Sequence, residues 1–363
     1  LYAPPGGVVT VRMPKQAVHG GLALRIGAHK DKLWGKAKWR RAPEITVERP
    51  LTSERSAHAC AFGGLVYVVV PPRSSLGKVN VVIQGAVAAP HFVLGETSLE
   101  RWKGEIRDHP APWAELETKK VIITVPSENV RKLDDPEALM RWWDTVMDGC
   151  ADLAQIPHER TRPERYVTDE QISVGYMHAG YPILTHLDAA PRFVNLERLS
   201  TQGDWGMFHE MGHNHQHRDW TFGGTTEVTC NLFSLYLMET VCAKGIGHTA
   251  MSPESIAKNR ALYERGKKQF GLWKTKPFTA LIMYYEMRTA FGWEAYKKVF
   301  AEYRDLADYE RPKNDDQKRD QWLVRMSKTV GKDLGPFFES WGIPVSKHAR
   351  AQVEDLPPWM PAD

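Results

Sequence analysis

The stretch that decides the reading is Asp204-Trp205-Gly206-Met207-Phe208-His209-Glu210-Met211-Gly212-His213-Asn214. Asp204 is a good N-cap, and the pattern predicts a helix over 205–217. Four residues on a helix turn about 400°, so His209 and His213 stand one above the other on one face. Two neutral imidazoles so placed can share one divalent metal ion. Glu210, one position round, falls beside that ion, where a bound water would sit. Gly212 has no Cβ and lets a second backbone approach closely.

This HExxH spacing is that of zinc peptidases, and zinc needs a third protein ligand and an open position. In the longer pattern HExxHxxGxxH the glycine position holds Gln216 and the third histidine position holds Asp219, so that pattern fails. His217 keeps helical register with His213 but lies too far along the same axis. Glu227 follows His213 by fourteen residues, beyond Phe222-Gly223-Gly224. It opens a second predicted helix, 226–243, behind a threonine cap at Thr225-Thr226. Folding that helix back across the first brings Glu227 to the metal, whereas Glu239 lies roughly 18 Å further along it. Asn231, one turn after Glu227, is placed to hydrogen-bond a ligand histidine. Cys230 is read as a buried, inert thiol. The expected set is one Zn2+ per chain on His209, His213 and Glu227, with Glu210 moving the proton of the attacking water.

Outward from this stretch, the first third is β-rich. Val8–Met13, Leu22–Ile26, Glu44–Glu48, Leu65–Val70 and Val79–Ile83 are short apolar runs separated by Gly, Pro and Ser, which suggests a sandwich or similar β domain. His109-Pro110-Ala111-Pro112 marks a boundary. In the middle third Val121–Val125 reads as a buried strand. Asp135 and Pro136 start a helix whose core face is Leu139, Trp142, Val146, Cys150 and Leu153. Gln171–Val174 reads as another strand. The last third is helical, over Thr279–Ala290, Glu294–Tyr303, Leu323–Val330 and Leu334–Trp341, with Arg311–Asp320 as a charged loop.

Of the 363 residues, 42% are hydrophobic and 25% charged, which excludes a disordered or collagen-like chain. The net charge is only +4, and no basic stretch is long enough to suggest nucleic acid as a partner. The longest apolar run, Leu65–Val70, is far short of the ~20 residues that cross a bilayer, so no transmembrane segment is expected. Four cysteines form no CxxC pair, and Cys230 and Cys242, on one predicted helix, cannot bridge each other. The chain opens on Leu1 rather than Met and is read as a trimmed piece.

Trp205-Gly206, His209–Asn214, Trp220-Thr221-Phe222 and Thr225–Leu232 together resemble the enhancin-like zinc metallopeptidases, gluzincins that degrade mucins and O-glycoproteins. The vertebrate TRP channel-associated factors share this domain. Leu1–Gly6, Gly63–Tyr67, Leu94–Thr97, Ala111–Trp113, Gly180–Ile183, Ala290–Trp293 and Phe337–Pro344 extend the resemblance along nearly the whole chain. It implies an α+β fold with a β-sandwich-like N-terminal subdomain (1–108), a thermolysin-like catalytic core (109–250) and a C-terminal helical lobe (251–363). It implies zinc on His209, His213 and Glu227, with Glu210 catalytic. A secreted or cell-surface endopeptidase acting beside O-glycosylated Ser or Thr follows, with a glycoprotein or mucin as partner. The alternative is a weakly catalytic or non-catalytic regulatory domain of the channel-associated type.

In gluzincins a tyrosine after the third ligand stabilises the oxyanion. Tyr284 is the first choice here and Tyr181 the second. Trp220, Tyr181 and Trp205 are expected to offer flat apolar faces to substrate, with Asp204, Asn214 and Arg192 as polar groups nearby in sequence. The segment 172–185 is expected to contain an edge strand that pairs with an extended peptide.

Overall fold

The computed structural model describes residues 1–245, 247–266 and 269–361 and has a mixed α+β fold. It divides into two compact units, Leu1–Asp144 with Arg160–Leu196, and Thr145–Glu159 with Glu197–Asp363.

The described strands all belong to the first unit. They are β1 (Tyr2–Ala3), β2 (Val8–Arg12), β3 (Ala23–Ile26), β4 (Val47–Pro50), β5 (Arg55–Ala59), β6 (Gly64–Val69), β7 (Val82–Gln84), β8 (His91–Val93), β9 (Trp113–Glu117), β10 (Val121–Pro126), β11 (Glu164–Asp169), β12 (Met177–His178) and β13 (Ile183–His186). They form a four-stranded sheet β1-β6-β3-β4, a three-stranded sheet β5-β2-β7 and a six-stranded sheet β12-β13-β11-β10-β9-β8. Strand alternation explains the first two. Val9 and Val11 point inward from β2, Leu24 and Ile26 from β3, and all four share one apolar cluster with Met13, Leu22 and Leu51. In the six-stranded sheet Val121–Val125 are buried on both faces, as a near-continuous apolar run requires. This strand pairs antiparallel with β9 and parallel with β11, and β12 is an edge.

Some expected strands move. The run at Glu44–Glu48 becomes β4 three residues later, and that at Val79–Ile83 becomes β7. Gln171–Val174 is not a strand, because its polar groups are committed elsewhere. Gln171 Oε1 accepts from Arg40 N (2.7 Å), its Nε2 donates to Lys38 O (2.9 Å), and Ser173 N donates to Asp31. Strands β11 and β13, both inside the sheet, have no counterpart in the sequence reading.

The helices are α1 (Leu99–Gly104), α2 (Pro136–Ala154), α3 (Ala190–Phe193), α4 (Leu196–Gln202), α5 (Trp205–His215), α6 (Thr226–Thr240), α7 (Pro253–Arg265), α8 (Phe270–Trp273), α9 (Pro277–Asp305), α10 (Asp315–Val330), α11 (Gly335–Ser340) and α12 (Lys347–Ala351). Asp135 caps α2 as expected, accepting from Ala138 N at 2.9 Å. The two helices expected around Gly292 join as α9, and Gly292 (φ 73°, ψ 174°) breaks it, a conformation open to glycine alone at little cost. The charged run Arg311–Asp320 is not a loop throughout. Asn314 accepts from Gln317 N (2.9 Å) and starts α10, with Asp315 and Asp316 in the first turn, where the helix dipole favours them. These residues are the wet face of a helix that buries Trp322, Leu323 and Met326. All four cysteines are free and buried. Helix α6 ends at Thr240, so Cys242 lies beyond it.

Candidate metal centre

Helix α5 begins as the sequence requires, with Asp204 accepting from Met207 N at 3.2 Å. Helix α6 starts after Thr225, but that hydroxyl turns back to donate to Phe222 O (2.7 Å) rather than capping the helix. The two helices pack at Gly212. A Cβ there would stand 2.2 Å from the Cys230 carbonyl oxygen, so only glycine permits this approach. That contact carries the first turns of α6 to the histidine face of α5.

Three donor atoms converge. His209 Nε2 lies 3.1 Å from His213 Nε2 and 3.1 Å from Glu227 Oε2, and His213 Nε2 lies 3.4 Å from the same oxygen. Ligands at ~2.05 Å from a tetrahedral zinc stand about 3.3 Å apart, so the triangle fits this ion. Cys230 adds a fourth donor atom to the cluster, all within 4.8 Å of one another. Its sulfur is 3.5 Å from His209 Nδ1 and 3.9 Å from Nε2. The thiol is therefore beside the ligands, not simply packed in a core as the sequence suggested. Glu210 is buried on the same helix.

The supporting atoms fix the ring states. Asn231 Nδ2 donates to the Glu227 carbonyl (2.8 Å), so Oδ1 faces His209 Nδ1 at 2.7 Å. An amide oxygen can only accept, so Nδ1 carries the hydrogen and Nε2 presents its lone pair. Gln216 approaches His213 from the equivalent side, with its amide nitrogen toward the ring. Its Nε2 is 2.9 Å from Nδ1, and its Oε1 accepts from Thr229 Oγ1 (2.5 Å), which meets Thr221 at 2.9 Å. The sequence reading used Gln216 only as a mismatch. The overlooked signal was its position one turn after His213.

Charge follows geometry. Burial opposes a proton on His209, but hydrogen bonds to Cys230 and Glu227 outweigh it and push the ring up to about 11. The same contest takes His213 to about 9. Glu227 is held far below the usual carboxylate range by its bonds to His209 and His213. A cation is thus favoured at this point, whether proton or metal.

Two expected site residues belong to the core instead. Trp220 is fully buried, stacked on Phe300 (4.0 Å, 13°) and edge-on to Tyr303, and offers no face to a sugar. Tyr284 is fully buried between Trp273 and Trp322, and its hydroxyl has no partner among the described residues. Burial pushes its pKa well up, and a hydroxyl sealed from solvent cannot reach a substrate oxyanion. Trp205 is half-buried against His248 and Phe278. In the first unit Tyr181 is half-buried with the Arg162 guanidinium 3.6 Å over its ring, and Arg192 donates to Tyr176 Oη at 3.0 Å.

Residues 85–342 match the family model described as Peptidase M60, enhancin and enhancin-like, and residues 1–84 match the N-terminal domain of M60-like peptidases. The chain belongs to the M60 peptidase family. Among curated relatives, TRPM8 channel-associated factor 2 of Bos taurus is 41% identical over 99% of this chain, which spans only 39% of that relative's length. Among solved structures, a functionally unknown conserved protein from Bacillus anthracis str. Ames, a mutant form, overlays with TM-score 0.77 at 25% identity, covering 99% of this chain and 73% of that one. The IMPa metallopeptidase from Pseudomonas aeruginosa, in complex with an O-glycopeptide, overlays with TM-score 0.70 at 18% identity, covering 99% and 49%. That last likeness is one of fold. The M60 family is a metallopeptidase family, so its fold implies a metal ion, typically zinc, and the donor triangle is chemically suited to one. Among the described residues no helix is long and apolar enough to cross a membrane.

Proposed function

We propose that this M60 domain is a zinc-dependent endopeptidase that hydrolyses peptide bonds in mucin-like, O-glycosylated proteins outside the cell. The observation that carries this reading is the triangle of His209, His213 and Glu227, with Glu210 on the same helix as the two histidines. Zinc, when bound, supplies a Lewis acid that acidifies a water and polarises the scissile carbonyl. Glu210 would serve as the general base for the attacking water and return the proton to the leaving amine. Asn231 holds the His209 imidazole in the tautomer that presents Nε2, and Gln216 braces the His213 ring. The three-part layout of β-sandwich-like subdomain, gluzincin core and helical lobe goes with this reading. The O-glycopeptide bound by IMPa supports the substrate class. In the first unit edge strand β12 is the element that would pair with an extended peptide, and Tyr181 remains the candidate substrate contact of that unit.

A second reading is favoured by the identity to channel-associated factor 2 and by the thiol of Cys230 beside the ligands. In it the domain binds a protein partner and turns over slowly or not at all. One experiment separates the two. A peptide with and without a core N-acetylgalactosamine on its Ser or Thr is incubated with the chain and with Glu210→Gln, and products are read by mass spectrometry. Cleavage of the glycosylated form alone, lost in Glu210→Gln, supports the glycopeptidase. Equal cleavage of both forms leaves a general peptidase, and no cleavage of either favours the binding role.

A further inference from the structure

Between β3 and β4 the chain makes a loop of unusual composition. Residues 30–44 carry six cations, Lys30, Lys32, Lys36, Lys38, Arg40 and Arg41, against Asp31 and Glu44. Their excess equals the whole net charge of +4, so the remaining 348 residues balance. Two tryptophans stand in the same loop, and they are the most exposed of the large aromatic side chains apart from Tyr309, Trp34 at 62% and Trp39 at 51%.

The loop is built rather than slack. Leu33 is fully buried beneath it. Arg41 grips both oxygens of Asp169 (2.8 and 2.6 Å), and Gln171 bridges Arg40 N and Lys38 O. Both indole N–H groups are used internally, Trp34 on Glu44 (2.6 Å) and Trp39 on Leu33 O (2.9 Å). What the rings offer outward is therefore apolar surface. They meet at 5.5 Å and 89°, edge to face. Such a pair is a ridge, not the parallel platform on which bases or sugar rings stack. An apolar ridge ringed by Lys30, Lys32, Lys38 and Arg40, all exposed, matches one kind of surface: a headgroup layer bearing negative charge over hydrocarbon.

We propose that the Trp34–Trp39 loop docks this chain onto the surface of an anionic phospholipid bilayer. The indoles enter the interfacial layer, and the lysines pair with headgroups while their stems lie along the boundary. The loop is already ordered, so docking costs little conformational entropy. This reading is independent of any peptidase activity.

The test is co-sedimentation of the full chain with vesicles of phosphatidylcholine alone and of phosphatidylcholine with phosphatidylserine, together with quenching of indole fluorescence by brominated lipid. Binding is expected only on the anionic vesicles and should fall as salt rises. Trp34→Ser with Trp39→Ser should lose the quenching and weaken binding on the order of tenfold or more. Lys36→Gln with Lys38→Gln should weaken it roughly fivefold per cation while keeping the indoles. All these positions are at least partly solvent-exposed, so melting temperatures should match the parent; if the serine pair unfolds, the glutamine pair carries the test. No pelleting with anionic vesicles, or pelleting unchanged by both pairs, overturns the proposal. Retention on heparin or RNA without vesicle binding also overturns it and assigns the loop to a polyanion.

Discussion

Helices α5 and α6 meet along a polar seam, while α9 and α10 meet along an aromatic one. At the first, His209, His213 and Glu227 bring polar atoms to one point that remains partly open, since Glu227 is exposed, and Asn231 backs the far side of the His209 ring. At the second, Tyr284, Tyr296, Phe300 and Tyr303 close around Trp322 with nothing left for solvent. Both seams hold residues that the sequence marked as functional. A side chain does chemistry only where the packing leaves it an approach, and helical register alone says nothing about that.

The largest effect expected along the polar seam is at Glu210. Glu210→Gln should keep fold and bound metal, by melting temperature and metal analysis, and lower cleavage ~10²–10⁴-fold. Turnover at the parent rate would remove Glu210 from the mechanism. Next comes the aromatic seam. Trp220→Ala should cost about 3–5 kcal/mol in urea unfolding, because it empties a stacked site against Phe300. A loss confined to substrate affinity, with stability intact, would mean that the ring faces the ligand after all. Asn231→Ala should then weaken metal binding ~10–100-fold in a chelator competition, since His209 loses its tautomer lock. An unchanged affinity would show that the amide only braces Glu227. The smallest effect is at Tyr284, where removing a hydroxyl that has no partner among the described residues should leave turnover unchanged and stability equal or up by about 1 kcal/mol. A large fall in kcat for Tyr284→Phe would restore it as the oxyanion donor and erase the contrast between the seams.

The metal centre was legible because its determinants are local. The i, i+4 histidines need only a helix, and Glu227 needs one turn and a return helix. Gly212 reports the close approach that makes the return possible. The loop at Gln171–Val174 was not legible, because it depends on polar groups distant in sequence, Arg40, Lys38 and Asp31, whereas the start of α10 rests on the local Asn314 cap, which the density of charge around it masked.

The sequence by itself determined the ligand types, their register on α5 and α6 and the family to which they belong, since helix periodicity converts spacing directly into geometry. Tertiary structure alone decided which tryptophans and tyrosines are available. The same ring chemistry is sealed at Trp220 and Tyr284 and open at Trp34 and Trp39. Burial is set by whichever elements pack over a residue, and periodicity along one segment does not encode its cover.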